Sequence, residues 1–506
     1  MKYIEYVNNQ WHNAVIRYFP KNPYTRTIFI LCIMNFIIRL PFIALLPFSD
    51  PNVYYDGVLK IFDNNLNPFT NFMGYKPPFM FELTAILFTL FRPSITIGSL
   101  LVYVASSISL VYTYMLGFSL FGKKAGMYAS LFLFFFPLFA AQSFQFTDAI
   151  FVTPLLLATF YYYYKRDFLG YLIAATLAVL TRETSLFVPL FLGLFELFHK
   201  PQKIIHLPAN VRLSKSLILW LPLFPFTIWM YVNKFIFGWY MEPTNVSFFS
   251  FTDTIWSRII MNLQTTFLHN GSYIFVVIIV LWILITINNK VSLSSRQRHA
   301  TIIFSFFFLI YFLFYSTGPF HPRYMLSLYP YLCILAGGAI VMTWKSTLSS
   351  ICFYGTCMLL IVMQLIQFFI LPMRYWGEAD LSIIQTAVLY ARSIKNIQQQ
   401  YPNALIVVKP VIYSWNDSSL GYTKNSIRKE LYFWNDWLDE SQEYTRMVKY
   451  AKIRSLSPIV FIIASPEVIP TILERKMDVI EKVRSPFGNS ANYHTLYMRE
   501  TKDIDL

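Results

Sequence analysis

The chain has 506 residues, of which 56% are hydrophobic, 19% aromatic and only 13% charged, with 50 Phe and 35 Tyr. A soluble domain carries roughly a quarter charged residues, so the composition excludes one and predicts a polytopic α-helical membrane protein. The net charge of +15 sits almost wholly before residue 374, where 24 Lys/Arg face 11 Asp/Glu, against 17 and 15 in the rest; in a membrane protein such an excess marks cytoplasmic loops beside anionic lipid, not nucleic-acid binding.

In chain order, the first apolar run, about 25 to 48, is long and lacks a small-residue cleavage site, so it reads as a retained helix. A polar stretch from Phe48 to Gly57 follows, carrying Asp50 and Asp56, and then Gly74-Tyr-Lys-Pro-Pro78 with Lys76. Ionisable groups where a membrane helix surfaces are seldom incidental. Further apolar runs predict helices near 95–121, 125–143, 149–164, 168–181, 184–198, 216–237, 272–288, 300–317, 324–344 and 350–371. Several fall short of the roughly 20 residues a perpendicular span needs.

Orientation follows from the basic loops. Lys2, Arg17, Lys21 and Arg26 place the N-terminus in the cytoplasm. Counting crossings forward puts Lys123-Lys124, Lys165-Arg166, the His199 to Lys215 loop, Lys290 to Arg298 and Lys345 on the same side. Reading Pro77 to Arg92 as a span would reverse every later loop, so it is expected to lie along the outer surface with Glu82 on it. The expectation is eleven spans, with the C-terminus outside.

The outer side then holds the 49–94 loop, the Gln142 to Asp148 turn, Arg182-Glu183, the 238–271 loop, Gly318 to Arg323 and everything after about 373. Residues 1–373 form the expected transmembrane unit and 374–506 a small extracytoplasmic α/β domain. That domain opens with an amphipathic helix near 378–400 and has strand-like runs at 404–408, 458–464, 477–483 and 493–499, with helices between, one opening at Ser465. The sequons at Asn245, Asn270 and Asn416 all fall on the outer side. Cys32, Cys333, Cys352 and Cys357 lie in apolar runs without redox or metal-ligand spacing and read as structural.

Separate outer loops thus supply Asp50, Asp56, Asp148, Arg182, Glu183, Arg323 and Tyr324 to one membrane face. Transfer from a lipid-phosphate substrate needs such a set: a carboxylate to take the proton of an attacking hydroxyl, and Lys or Arg to neutralise a departing phosphate.

Ile38-Arg39-Leu-Pro41, Asp50-Pro-Asn-Val-Tyr54 and Tyr75-Lys76-Pro-Pro78 resemble the polyprenyl-phosphate-sugar-dependent glycosyltransferases of the GT-C superfamily, in the group of protein O-mannosyltransferases and lipid A aminoarabinose transferases. Phe136-Pro137, Thr147-Asp148-Ala-Ile-Phe, Leu180-Thr-Arg-Glu-Thr184 and His321-Pro-Arg-Tyr-Met325 are similar to the same family, over roughly 25–345. The resemblance implies a GT-C-like fold, an inverting transfer of a sugar from a polyprenyl phosphate, and an acceptor that is a glycan, lipid or protein. It implies that Asp50 is the general base, Lys76 holds the lipid phosphate, Asp148 is a second carboxylate near the acceptor, and Arg323 with Tyr324 lies near the donor phosphate.

Arg39, Tyr54, Asp56, Glu82, Arg182 and Glu183 are supporting candidates. Plainer alternatives are Asp50 as a loop acid at a turn before Pro51, Arg39 and Lys76 as interfacial snorkellers, Asp56 and Asp148 as caps, and Arg182 with Glu183 as a local pair. Pro51 and Tyr75 stand where relatives carry acids, so no metal site is assigned and a divalent cation is left open. The membrane is a plasma membrane if the source is prokaryotic. The competing class is a transporter or flippase of lipid-linked sugars, which would place charged or broken sites at mid-membrane and repeat its halves; neither feature is visible.

Overall fold

The computed structural model describes residues 23–43, 50–70, 76–198, 209–240, 256, 259–260, 263–268, 272–288, 293–316, 322–344, 346–369, 381–408, 431–433, 439–453, 455–464, 471–484 and 493–499. His321, the sequon positions Asn245, Asn270 and Asn416, the expected helix start at Ser465 and the 373/374 boundary lie outside them.

The helical part comprises α1 (Pro23–Arg39), α2 (Asp50–Asp63), α3 (Phe79–Phe91), α4 (Ile95–Phe121), α5 (Lys123–Phe134), α6 (Pro137–Gln142), α7 (Asp148–Lys165), α8 (Phe168–Val179), α9 (Phe187–Phe198), α10 (Ala209–Trp220), α11 (Leu223–Phe237), α12 (Ser272–Asn288), α13 (Ser295–Ser316), α14 (Tyr329–Thr343) and α15 (Ser346–Phe369). Every expected run is met by one of these or, at 125–143 and 216–237, by two, but four helices alone among the described residues are long and apolar enough to cross a membrane unaided: α1 with its 3-10 extension, α4, α13 and α15. α10 and α11 together make a fifth, bent by 45° at the break. The run expected at 125–143 is broken before Pro137, which cannot donate to the preceding turn.

The largest difference is α2, because the polar stretch expected as loop is helical from Asp50 onward. Pro51 fits the first turn of a helix, where a missing N–H leaves no bond unmade. Tyr54, Tyr55, Val58, Leu59 and Ile61 then form a buried apolar face.

α4 is the axis of the bundle. Ser94 caps it by accepting from Thr96 N at 3.1 Å. α5 reaches it closely at Gly126, where a Cβ would meet the backbone of Tyr114 and Phe118. Gly98 of α4 leaves room for the ring of Tyr55, whose hydroxyl donates to Ile95 O at 2.8 Å. The first-loop helix is therefore locked to the bundle.

The two ends of the bundle can be read from cross-helix bonds. At one end Arg296 Nη2 donates to Tyr164 O at 3.2 Å and Gln297 Nε2 to Leu120 O at 3.2 Å. At the other, Phe79 N donates to Leu180 O at 2.8 Å and Tyr311 Oη to Thr184 O at 2.9 Å. One continuous core of aromatic and aliphatic side chains joins these ends.

Beyond α15 lie α16 (Ser382–Gln400), β1 (Leu405–Val408), β2 (Leu431–Phe433), α17 (Glu440–Ile453), β3 (Ile459–Ala464), α18 (Thr471–Lys476), β4 (Asp478–Arg484) and β5 (Tyr493–Arg499). The sheet order is β2-β1-β3-β5-β4, with β1 parallel to β2 and β3, and β5 antiparallel to β3 and β4. Period-2 alternation splits β1 and β3 between two cores. Ile406, Val408, Val460 and Ile462 pack with Leu389, Tyr390 and Ile394 of α16, whereas Leu405, Val407, Ile459 and Phe461 pack with Tyr444, Met447 and Val448 of α17. The four strands expected from the sequence are present, and the three-residue β2 is the addition.

Candidate active site

Three connections meet at the end of the bundle marked by Leu180 and Thr184. The first brings Lys76, just before the Pro77-Pro78 entry to α3, and the Phe79 to Leu180 bond pins it against the Thr181-Arg182-Glu183 turn. The second is the tight turn before α7, in which Gln145 N bonds Gln142 O at 3.1 Å, Thr147 N bonds Gln145 O at 3.0 Å, and Thr147 Oγ1 donates to Gln142 Oε1 at 3.0 Å. That turn delivers Asp148 to the first position of α7, where a helix N-terminus favours negative charge. The third is the turn from Pro322 to Met325 ahead of α14, which supplies Arg323 and Tyr324.

Asp148 is the hub and is 1% exposed. Its Oδ2 lies 3.2 Å from Lys76 Nζ, a hydrogen bond as well as an ion pair, and 3.8 Å from Arg182 Nε. Lys76 also reaches Glu183 Oε1 at 3.7 Å. The Arg182 guanidinium lies over the ring of Tyr324 at 4.7 Å and that of Tyr315 at 5.7 Å, and those two rings stack at 5.0 Å. Tyr315 Oη donates to Thr184 Oγ1 at 3.1 Å, closing the cage from α13. Arg323 is buried and sits 5.3 Å over the ring of Tyr324.

Burial alone would push the Asp148 carboxyl up, but Arg182, Lys76 and Arg323 outweigh it and hold the group far below the usual carboxylate range. Burial likewise disfavours the Arg182 cation, and Asp148 with Tyr315, Tyr324 and Glu183 reverses that, so Arg182 stays charged. The described cluster therefore carries three cations and two carboxylates, a surplus of one positive charge. Among the described residues, several buried polar atoms of the cluster have no hydrogen-bond partner, namely Asp148 Oδ1, Arg182 Nη1 and Glu183 Oε2, and the same holds for both amide atoms of Gln145 in the turn before it. Such atoms cost free energy in the folded state unless they serve a ligand.

Lys76, Asp148, Arg182, Glu183, Arg323 and Tyr324 are thus brought together. Two expected alternatives fail for identifiable reasons. Arg182 and Glu183 do not form a local pair, because each side chain turns to a different partner, Asp148 and Lys76 respectively. Arg39 does not snorkel to the surface; it is buried, with its guanidinium over the Phe144 ring at 5.0 Å and Nη1 donating to Asn35 O at 3.1 Å.

Asp50 opens α2 and Asp56 lies on it, but their side chains lie outside the described residues. What is described is the seating of that helix: Tyr55 packs on Phe146 at 4.5 Å, two residues before Asp148, and Tyr54 meets Phe81 edge-on at 5.9 Å. Tyr54 therefore holds α2 to α3. Glu82, one turn into α3, is half-buried, and burial pushes its carboxyl up to about 7.

Sequence reasoning missed Tyr315 and Gln145, and it named Thr184 only as the end of a motif. Tyr315 is an ordinary member of an aromatic run, and only the fold sets it beneath Arg182 and against Tyr324, while Gln145 is an ordinary member of the polar turn that leads to Asp148. Among the described residues no three His, Cys, Asp or Glu side chains form a metal-ligand group. The two described carboxylates of the cluster, Asp148 and Glu183, have Lys76 and Arg182 as neighbours, which does not fit a divalent cation.

An apolar groove of about 400 Å³ starts beside this cluster, at Phe79 and Phe151, and runs between α3, α4, α7 and α8 to Tyr112 and Tyr162. Eleven residues of α7 separate its ends, or about 16 Å. Val104, Ile108 and Ile173 on its rim are exposed, so it opens sideways from the bundle.

With these features in place, the fold can be compared with known ones. The crystal structure of ArnT from Cupriavidus metallidurans bound to undecaprenyl phosphate matches with a TM-score of 0.58 and 13% identity, over 94% of this chain and 97% of that one. The apo form of the same protein matches with a TM-score of 0.55 and 13% identity, over 92% and 97%. The chain thus shares its fold with ArnT. Residues 75–229 match the family model of dolichyl-phosphate-mannose-protein mannosyltransferases, a stretch that runs from just before Lys76 to α11. No curated protein sequence matches the chain. The structural likeness extends past the motifs, which end near 345, into the C-terminal sheet.

Proposed function

We propose that the protein is an integral-membrane glycosyltransferase that moves a sugar from a polyprenyl-phosphate donor to an acceptor hydroxyl on the extracytoplasmic face. The observation that carries this reading is the buried cluster of Lys76, Arg182 and Arg323 around Asp148, with an apolar groove that begins at Phe79 and Phe151, three residues on from Lys76 and from Asp148. A surplus of positive charge beside a hydrocarbon-lined channel suits a phosphate attached to a long apolar chain. The ArnT structure bound to undecaprenyl phosphate supports the same ligand class.

In the proposed reaction the acceptor oxygen attacks the anomeric carbon from the face opposite the phosphate. The new C–O bond forms as the bond to the phosphate oxygen breaks, and the electron pair leaves on the polyprenyl phosphate. Lys76 and Arg323 stabilise that developing charge, and Asp50 takes the acceptor's proton. A single displacement inverts the anomeric configuration. Asp148 is assigned to orienting Lys76 and Arg182 instead of taking a proton, since a carboxyl held so far below its usual range is a poor base near neutral pH. The N-terminus and the basic loops belong in the cytoplasm, the C-terminal sheet outside, and the membrane is a plasma membrane if the source is prokaryotic.

The test is conversion of a labelled polyprenyl-phosphate hexose in proteoliposomes. Formation of a glycosidic product is expected, and Asp50→Asn is expected to lower its rate by about 10²–10⁴-fold while insertion and folding persist. Movement of label across the bilayer without a new glycosidic bond would identify a transporter instead, and full activity in the Asp50 variant would remove Asp50 as the base.

A further inference from the structure

The turn that positions Asp148 carries one group that the reaction just described does not use. Gln145 is 7% exposed, and among the described residues neither its amide oxygen nor its amide nitrogen has a hydrogen-bond partner. A buried primary amide can make two donor and two acceptor contacts, and leaving all of them unmade is costly. Its backbone is not at liberty to relieve this. Gln145 N bonds Gln142 O, Gln145 O accepts from Thr147 N, and the next residue, Phe146, is wedged against Tyr55.

We infer that Gln145 is a specificity-determining residue that holds a hydroxyl of the transferred sugar. The inference rests on the reading of the charged cluster as the site of the lipid phosphate. Three residues of chain span on the order of 10 Å at most, so the Gln145 backbone lies no farther than that from Asp148, which itself holds Lys76 and Arg182. The portion of a lipid-phosphate sugar next to its phosphate is the pyranose itself, joined at the anomeric carbon. Its hydroxyls are neutral and each both donates and accepts, as a primary amide does. Asp148 Oδ1 and Glu183 Oε2, buried acceptors without hydrogen-bond partners among the described residues, face the same requirement for donors and fit neighbouring hydroxyls. A phosphate would leave the Gln145 oxygen unsatisfied, and a polyprenyl chain would leave both of its atoms so.

The inference separates sugar recognition from phosphate recognition, and so does its test. The full-length protein in nanodiscs is titrated with undecaprenyl phosphate alone, with undecaprenyl-phosphate mannose and with undecaprenyl-phosphate glucose. In the wild type at least one hexose lipid is expected to bind more tightly than undecaprenyl phosphate. Gln145→Leu is expected to weaken that hexose lipid by about tenfold or more while changing undecaprenyl phosphate by less than about twofold. Gln145→Glu, which keeps the shape and an acceptor but loses the N–H donors, should fall between. Unchanged hexose-lipid affinity in both variants, or no preference for either hexose lipid in the wild type, overturns the inference. Equal loss for all three lipids in both variants makes Gln145 structural and overturns it as well. Failure of wild-type protein to bind undecaprenyl phosphate at all would instead remove the underlying reading of the cluster.

Discussion

The two ends of the helical bundle use charge in opposite ways. At the Leu180 end, Asp148, Arg182 and Arg323 are buried, joined by the largely enclosed Lys76, and the cations sit among carboxylates and tyrosine rings. At the Leu120 end, Lys123, Lys165 and Arg296 are exposed, each resting on a ring: Lys123 on Phe118 at 5.9 Å, Lys165 on Tyr161 at 5.8 Å and Arg296 on Tyr164 at 6.0 Å. The second pattern needs no ligand, because solvent and headgroups satisfy the charges and the aromatic faces merely support the stems. The first is stable only as a connected set, since each buried ion depends on its neighbours to offset its desolvation. That dependence separates a site built to act from an end built to face an interface.

Breaking the set should have the largest effect on stability. Asp148→Asn keeps shape but removes the charge that offsets Arg182 and Lys76, so a loss of about 3 kcal/mol is expected, read as a fall in the unfolding midpoint in detergent. The ordinary pH range should not reproduce it. The Asp148 carboxyl is held below its unfolded value, so its contribution is present above the unfolded range and lost only as pH falls far into acid. A stability loss on mild acidification that vanished in the Asn variant would contradict the hub role.

How much of this was visible in the sequence differs between the same two regions. The basic end was legible outright, since Lys123-Lys124 and Lys165-Arg166 stand between apolar runs and charge bias is local information. The candidate site was legible as a membership, with Lys76, Asp148, Arg182, Glu183, Arg323 and Tyr324 all named, but not as a wiring. Nothing in Arg182-Glu183 as a dipeptide shows that the two side chains part company. That outcome follows from the Phe79 to Leu180 bond across about 100 residues of chain. α2 was hidden for a different reason: Asp50-Pro51 reads as a turn, and the buried face of Tyr54, Tyr55, Val58 and Leu59 gains meaning only once α3 and α4 are beside it. In the C-terminal sheet, the strands themselves were readable from their apolar runs, whereas β2 has three residues and no periodicity to detect.

Glu82 provides an intermediate case near the site end. Its folded-state carboxyl titrates near 7, against 4.5 for the ordinary group, because burial disfavours the anion. The sign follows from linkage: the contribution is full below about 4.5 and is lost as pH rises through about 7. Glu82→Gln should therefore match the wild type in acid and exceed it at pH 8, by on the order of 1 kcal/mol or less once its partial exposure is discounted. Parallel unfolding curves at pH 5 and 8 measure this. A Gln variant that is less stable at pH 8 would show that Glu82 has a cationic partner and belongs to the site's network.

The smallest effect belongs to the opposite end, and it is the sharpest check on the contrast. Lys165 lies in the last turn of α7, the same helix whose first residue is Asp148, so the two substitutions share a scaffold and differ only in which end they disturb. An exposed cation over a ring contributes roughly 0.5 kcal/mol, and a lysine near a helix C-terminus adds a few tenths more at low salt. Lys165→Ala should thus lower stability by no more than about 1 kcal/mol, with the difference shrinking in high salt and sugar transfer unchanged. A loss as large as that of Asp148→Asn, insensitive to salt, would mean that this end too contains a desolvated, interdependent charge set. The distinction between an acting end and a facing end would then fail, since α7 would be anchored by buried charge at both of its termini.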